Sequence, residues 1–348
     1  MVLVALATGS YVYWFSSTRL SPEQIIYVVE RGASLRSFTQ QLHAQGVLPD
    51  AHTLVWLAYL KGQERHLKPG EYRFRKDITP SQLLEQVIAG RVVEYPLTII
   101  EGWTFKNVLD TLAAAPRLTH TLQGLKPHQI MASLGYPGMH PEGRFFPDTY
   151  YYSAGMSDLI ILQRAFQKMD TRLQEEWAQR DTSIPLKNPD EALILASIVE
   201  KETGRADERP MIAGVFSQRL RMGMKLQTDP TVIYGMGEQY HGNIGLKDLR
   251  TRTIYNTYVI KGLPPTPIAM PGGEALHAVM HPASTQALYF VARGDGGHVF
   301  SETLDEHNQA VDKYQRIPAK KSAPAATPAM TPGTVPALPS KPSARSSP

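Results

Sequence analysis

The stretch NPDEALILASIVEKETG, Asn188 to Gly204, reads as one helix with both ends marked. Asn188 is a good N-cap, Pro189 fits the first helical position, and Asp190 and Glu191 favour the positive end of the dipole. Gly204 stands where a left-handed residue would close the helix. Glu200 and Glu202 lie near its C-terminal end, about 200° apart around the axis and so on nearly opposite faces. Glu202 shares its face with Leu195, Ile198 and Val199, whereas Glu200 shares its face with Leu193, Ala196 and Ser197. Glu202 thus looks inward from an apolar stripe, at a helix end whose dipole disfavours an anion. Both effects raise a carboxyl pKa. An acid held protonated near neutrality is what a glycosidic oxygen requires of a general acid. The plainer alternative is a surface helix with both glutamates in solvent, as most helical glutamates are.

Downstream, Gln227, Thr228 and Asp229 precede Pro230 at a helix start. They read either as a plain N-cap or as side chains that hold sugar amides and steady a developing oxocarbenium ion. Asn256 and Tyr258 in a loop suit a saccharide groove. So do Tyr150 and Tyr152 in the aromatic-rich segment GYPGMHPEGRFFPDTYYYSAG, 135–155, which is too irregular for a core element. Packing is the equal alternative for these tyrosines. The glycine run Gly294-Asp295-Gly296-Gly297 sits between YFVAR and HVF, so it is a hairpin turn; a phosphate cradle needs a following helix. His277 and His281 have the i, i+4 spacing of a zinc pair. Ala278 stands where a metalloprotease needs glutamate, and no third ligand is evident, so no metal is expected. Ser153 and Ser217 lack a nucleophile-elbow pattern.

Composition bounds the rest. The chain has 348 residues, 42% hydrophobic and 20% charged, enough for a sizeable core in two or three domains. Without cysteine, disulfides, zinc fingers and thiol nucleophiles are excluded. The net charge of +4 comes from four basic residues and no acidic one after position 317; the body is neutral, so no nucleic-acid partner is expected. Residues 1–18 carry no charge and end in Tyr11, Tyr13 and Trp14 before Arg19. That reads as an uncleaved transmembrane anchor, although eighteen helical residues span only about 27 Å. Residues 25–93 read as a small α+β module, with helices expected from Ser34, over Leu54–Leu60 and from Pro80 to Ile88. Residues 94–134 form a connecting α+β unit, 135–317 the part that carries chemistry, and 318–348 a disordered proline-rich tail.

IVEKETG, RLRMGMKLQTDPTVIYGMG (219–237), YNTY (255–258), GLPPTPIAMPG (262–272) and EGRFFPDTYYY (142–152) together resemble the YceG-like family of endolytic murein transglycosylases. The resemblance runs from the N-terminal helix to about Gln315. It implies an α+β enzyme with a lysozyme-like catalytic helix, working without a cofactor on peptidoglycan glycan strands. Such an enzyme sits in the bacterial inner membrane as a single-pass protein, with its catalytic domain in the periplasm and wall synthases as partners. The bond cut lies between N-acetylmuramic acid and N-acetylglucosamine, and the product is a 1,6-anhydro end that would terminate a nascent strand. In related lysozyme-like sites a small hydroxyl residue follows the catalytic acid, which Glu202-Thr203 matches and Glu200-Lys201 does not. YVVERGASLRSFTQQL and KPGEYRF are similar to the family's LysM-like portion. Two alternatives stay open: a muramidase in which Asp229 or Glu142 positions water, and a non-catalytic wall-binding scaffold.

Overall fold

The computed structural model describes residues 2–20 and 26–315, so the expected tail and Ile25 lie outside the described residues. Among the described residues the architecture is mixed α+β, with helices gathered around three small antiparallel sheets of two strands each.

The N-terminal part holds α1 (Val2–Ser17), β1 (Ile26–Val29), α2 (Leu35–Ala44), α3 (Ala51–Leu60), β2 (Gly70–Arg73) and α4 (Pro80–Ala89). Strands β1 and β2 pair with Tyr27 opposite Tyr72. Ser34 caps α2, and Thr79 with Gln82 forms a capping box on α4 behind Pro80. Their apolar faces, with Phe38, Leu42, Leu54 and Leu83, close over Tyr27, Tyr72 and Phe74. The first helix is not separate from this core. Phe15 is fully buried in it, and the Leu20 amide donates to the Ile78 carbonyl at 2.9 Å. Among the described residues, no helix is long and apolar enough to cross a membrane, and α1 has sixteen residues.

The middle part holds β3 (Glu94–Thr98), α5 (Phe105–Ala114), α6 (Pro127–Ser133), β4 (Thr149–Ser153) and α7 (Asp158–Gln179). Strands β3 and β4 pair with Leu97 opposite Tyr150 and Tyr95 opposite Tyr152. Here the sequence expectation fails. The aromatic segment at 135–155 looked too irregular to be core, yet Phe145, Tyr150 and Tyr152 are buried with Phe105, Val108 and Ile161. The irregular backbone is a connection that turns its aromatics inward.

The C-terminal part is built around α8 (Pro189–Glu202). With it are α9 (Arg209–Arg221), α10 (Asp229–Met236), α11 (Leu246–Arg250), α12 (Gly273–Met280), β5 (Tyr289–Ala292), β6 (His298–Ser301) and α13 (Leu304–Tyr314). Every residue from Ala192 to Val199 is buried, so α8 is a central helix and the surface-helix alternative falls. It packs against α7, α9, α10 and α12. The Asn188 side chain accepts from the Glu191 amide at 2.9 Å, as expected of the N-cap. The other end differs from expectation. Thr203 turns extended, with φ −144°, and Gly204 is not left-handed. The Thr203 hydroxyl instead accepts from the Arg205 amide at 3.0 Å, and this local turn ends the helix. Gly214 lets α9 close on the 283–285 loop, since a Cβ there would lie 2.5 Å from the Ala283 carbonyl oxygen. Segment 268–270 stitches the middle and C-terminal cores together: Ile268 belongs to one and Met270 to the other. Met270 also exchanges backbone bonds of 2.7 and 2.8 Å with Trp103 and Gly102.

Candidate active site

Helix α8 delivers Glu202 to an open cleft of about 560 Å³. The walls are the 226–229 loop, Tyr258, the β5–β6 hairpin and the inner face of α13. The Thr228 hydroxyl donates a short hydrogen bond to Glu202 Oε1. Thr228 occupies the N-cap position of α10 but makes no cap bond, because its hydroxyl is diverted to the carboxyl group. Its backbone is held in turn. The Thr228 amide donates to Thr257 Oγ1 at 3.0 Å, and the Thr231 hydroxyl donates to the Thr228 carbonyl at 2.7 Å. All three threonines are buried. Burial pushes the Glu202 carboxyl up to about 7 and the Asp229 charge adds to the rise, while Thr228, His298 and Arg219 draw it down. The result is a carboxyl group that still holds its proton in a large share of molecules near neutral pH, where an ordinary glutamate is fully ionised.

The surroundings are arranged around that acid. Tyr258 donates to Asp229 Oδ1 at 2.6 Å, and burial with this carboxylate holds its phenol well above the usual range. Gln227 adopts φ +51°, a left-handed conformation that costs a non-glycine residue energy and is concentrated at functional sites. Its amide donates to the Thr257 carbonyl at 3.2 Å, which ties the strained turn to the threonine cluster. Arg219 donates to the Leu288 and Leu226 carbonyls at 2.6 and 2.7 Å, joining the hairpin to the 226–229 loop. His298 is fixed by Glu208, through Nδ1 at 2.7 Å and its amide at 3.1 Å. Burial opposes ionisation of Glu208, yet these bonds hold its carboxyl below the ordinary value. Tyr289 stacks on His307 at 5.3 Å and faces the Arg219 guanidinium at 5.2 Å, a flat surface of the kind sugar rings use.

Glu200 leaves α8 on another side. Its Oε1 lies 3.4 Å from Arg209 Nη2, and its Oε2 accepts from the Gly272 amide at 3.0 Å. Glu142 is buried away from the cleft, accepting from the Phe105 amide at 2.9 Å and the Tyr234 hydroxyl at 3.0 Å. Burial pushes its carboxyl up to about 7 as well. No free face of Glu142 reaches the cleft, and it does not line it.

A family model described as YceG-like matches residues 27–313. The chain belongs to the YceG-like family. It is 38% identical over 303 residues to an endolytic murein transglycosylase of Bacillus subtilis, covering 82% of this chain and 83% of that one. A protein of the same name from Streptococcus pneumoniae strain D39 is 26% identical; the chain spans 63% of its length, with 90% of this chain covered. A crystal structure of a YceG-like protein from Listeria monocytogenes superposes with a TM-score of 0.55 at 30% identity, covering 82% of this chain and 98% of that one.

In this YceG-like chain, Glu202, Gln227, Asp229 and Tyr258 come together in one cleft, with Thr228 bonded to Glu202 from behind. Three expected site residues are not there. Asn256 is buried, donating to the carbonyls of Asp248, Leu249 and Thr251 and accepting from the Tyr258 amide at 2.9 Å. Tyr150 donates to the Phe146 carbonyl at 2.7 Å, and Tyr152 packs on Tyr95, both inside the middle core. Sequence reasoning missed Arg219, Tyr289, His298 and His307. The hairpin was recognised from its turn alone. An aromatic and a histidine on its adjoining strands were the available signal.

Proposed function

We propose that this chain is an endolytic lytic transglycosylase that cleaves peptidoglycan strands between N-acetylmuramic acid and N-acetylglucosamine, with Glu202 as the single acid and base. In the first step the Glu202 proton passes to the glycosidic oxygen as the C1–O bond breaks. In the second, the Glu202 carboxylate takes the proton of the C6 hydroxyl while O6 bonds to C1, closing the 1,6-anhydro ring and restoring the acid. No water is consumed, and one carboxyl group serves both steps, where common hydrolases use two. The observation that carries this reading is the desolvated Glu202, raised to about 7 and held by Thr228 in a cleft that a strand can enter from the side. Asp229, steadied by Tyr258, supplies negative charge for the oxocarbenium-like state, and Gln227 with the Tyr289–His307 surface holds the flanking sugars.

In the same reading the N-terminal module (25–93) is LysM-like and holds glycan, the unit at 94–134 connects it to the catalytic domain (135–317), and the product ends terminate nascent strands beside the wall synthases. Attachment to the inner membrane, with the cleft in the periplasm, is supported by the exposed Tyr13 and Trp14 on an uncharged helix rather than by helix length.

The test is mass spectrometry of products from purified glycan strands. Wild-type chain should release anhydro ends, and Glu202→Gln should lose at least about 10³-fold in rate, since one group is removed from both steps. Glu200→Gln should keep most activity. Products heavier by one water would convert the assignment to a muramidase, and sacculus binding with no release would leave a scaffold.

A further inference from the structure

The histidine pair of α12 gains in three dimensions the third donor that the sequence did not disclose. Glu176, in the last turn of α7, lies with its Oε2 3.0 Å from His277 Nδ1. The His277 and His281 rings stand 4.5 Å apart, and one ligand atom from each of the three residues lies within 4.8 Å of the others. None of the three lines the Glu202 cleft. Two helices end here: α7 stops at Gln179 and α12 at Met280, so the negative ends of both dipoles favour a cation between them. The Asp181 amide, just past α7, donates to the Met280 carbonyl at 3.0 Å, so the backbone already holds the two ends together.

We propose that Glu176, His277 and His281 form a binding site for a divalent transition metal ion of the zinc class. Two imidazoles and one carboxylate are a donor set suited to zinc, with the fourth position left to water. Donors on a tetrahedral zinc stand about 3.4 Å apart, so the widest gap closes by side-chain rotation. His277 is exposed and free to make it. The neighbouring charge is mixed. Arg172 Nη2 lies 3.9 Å from Glu176 Oε1, the carboxylate oxygen away from His277, and must swing from it or share it when the metal binds. The bound ion clips α12 to α7, and α12 packs directly on α8, so the effect is on the platform beneath the catalytic helix rather than on its chemistry.

The test uses the untagged chain, titrated with zinc chloride by calorimetry and with cobalt chloride by visible absorption. One ion should bind per chain, with a cobalt spectrum of low coordination number, and zinc should raise the thermal midpoint. His277→Ala and His281→Ala should each weaken zinc binding at least roughly tenfold and shrink the midpoint shift at a given zinc concentration, and Glu176→Gln should weaken it less. All three variants should still cleave glycan, which shows that they are folded. If the wild-type chain shows no saturable binding, or if the double histidine variant binds zinc as tightly as wild type, there is no metal site on this face.

Discussion

Thr228 illustrates how one side chain can be taken from a local duty to a distant one. At an N-cap position its hydroxyl would ordinarily bond the third amide of its own helix. Here it bonds Glu202, twenty-six positions earlier. Thr228→Val removes that donor while keeping shape. The carboxylate loses a bond that favours it, so the Glu202 pKa rises further, and the alkaline limb of the rate profile should move up by about one pH unit. The maximal rate should fall by roughly tenfold or more, the worth of a hydrogen bond to a charged group. A limb that stays in place would mean that Thr228 does not sense the ionisation of Glu202. At this scale the sequence was readable where geometry is local. The inward turn of Glu202 follows from 3.6 residues per turn and an apolar stripe. The Thr228 contact was unreadable because it depends on how α10 meets α8. Tyr150 and Tyr152 were misread because burial and sugar stacking ask for the same side chain.

Elements carry the cleft walls, and Asn256 shows how a loop becomes one of them. Its amide group satisfies three carbonyls of the 248–251 turn, and its oxygen takes the Tyr258 amide. Asn256→Ala strands several of these groups, at about 1–3 kcal/mol for each that stays buried. We expect a loss of about 3 kcal/mol in chemical unfolding, with weaker substrate binding as Tyr258 leaves Asp229. Had Asn256 touched sugar instead, binding would drop at unchanged stability, so the two measurements together decide. Capping signals were legible for α2, α4 and α8, because a cap is written within four residues. The far end of α8 was not: Gly204 permits a left-handed stop but does not impose one, and Thr203 offered a competing extended turn.

For the whole molecule, Glu142 and Glu202 make stability depend on pH. Both carboxyls are pushed by burial to about 7 from an ordinary 4.5. Below 4.5 they are protonated in folded and unfolded chains alike, and burial carries no charge penalty. As pH rises from there to 7, the unfolded chain releases protons that the folded chain keeps, so stability falls; above 7 the loss is complete. Glu142→Gln, which stays neutral, should remove one share of this slope, gaining up to about 3 kcal/mol over wild type at alkaline pH and little in acid. Denaturant unfolding at both ends of that range checks it, and an unchanged slope would show Glu142 ionising normally. Phe15→Ala should destabilise the N-terminal part by about 3–5 kcal/mol, the usual result of emptying a buried phenylalanine site. Deletion of residues 1–18 should do at least as much, whereas deletion of residues 1–14 should be far milder by the same measurement. The burial of Phe15 also sets a reach. A flexible tether of ten residues would let a catalytic body wander over roughly 17 Å. A helix whose last turn is sunk in the adjoining core allows no such play at that joint. Were the outer turns of α1 held at a membrane, as proposed above, the N-terminal core would be seated on its anchor as a blade is set in its handle, not hung from it by a cord.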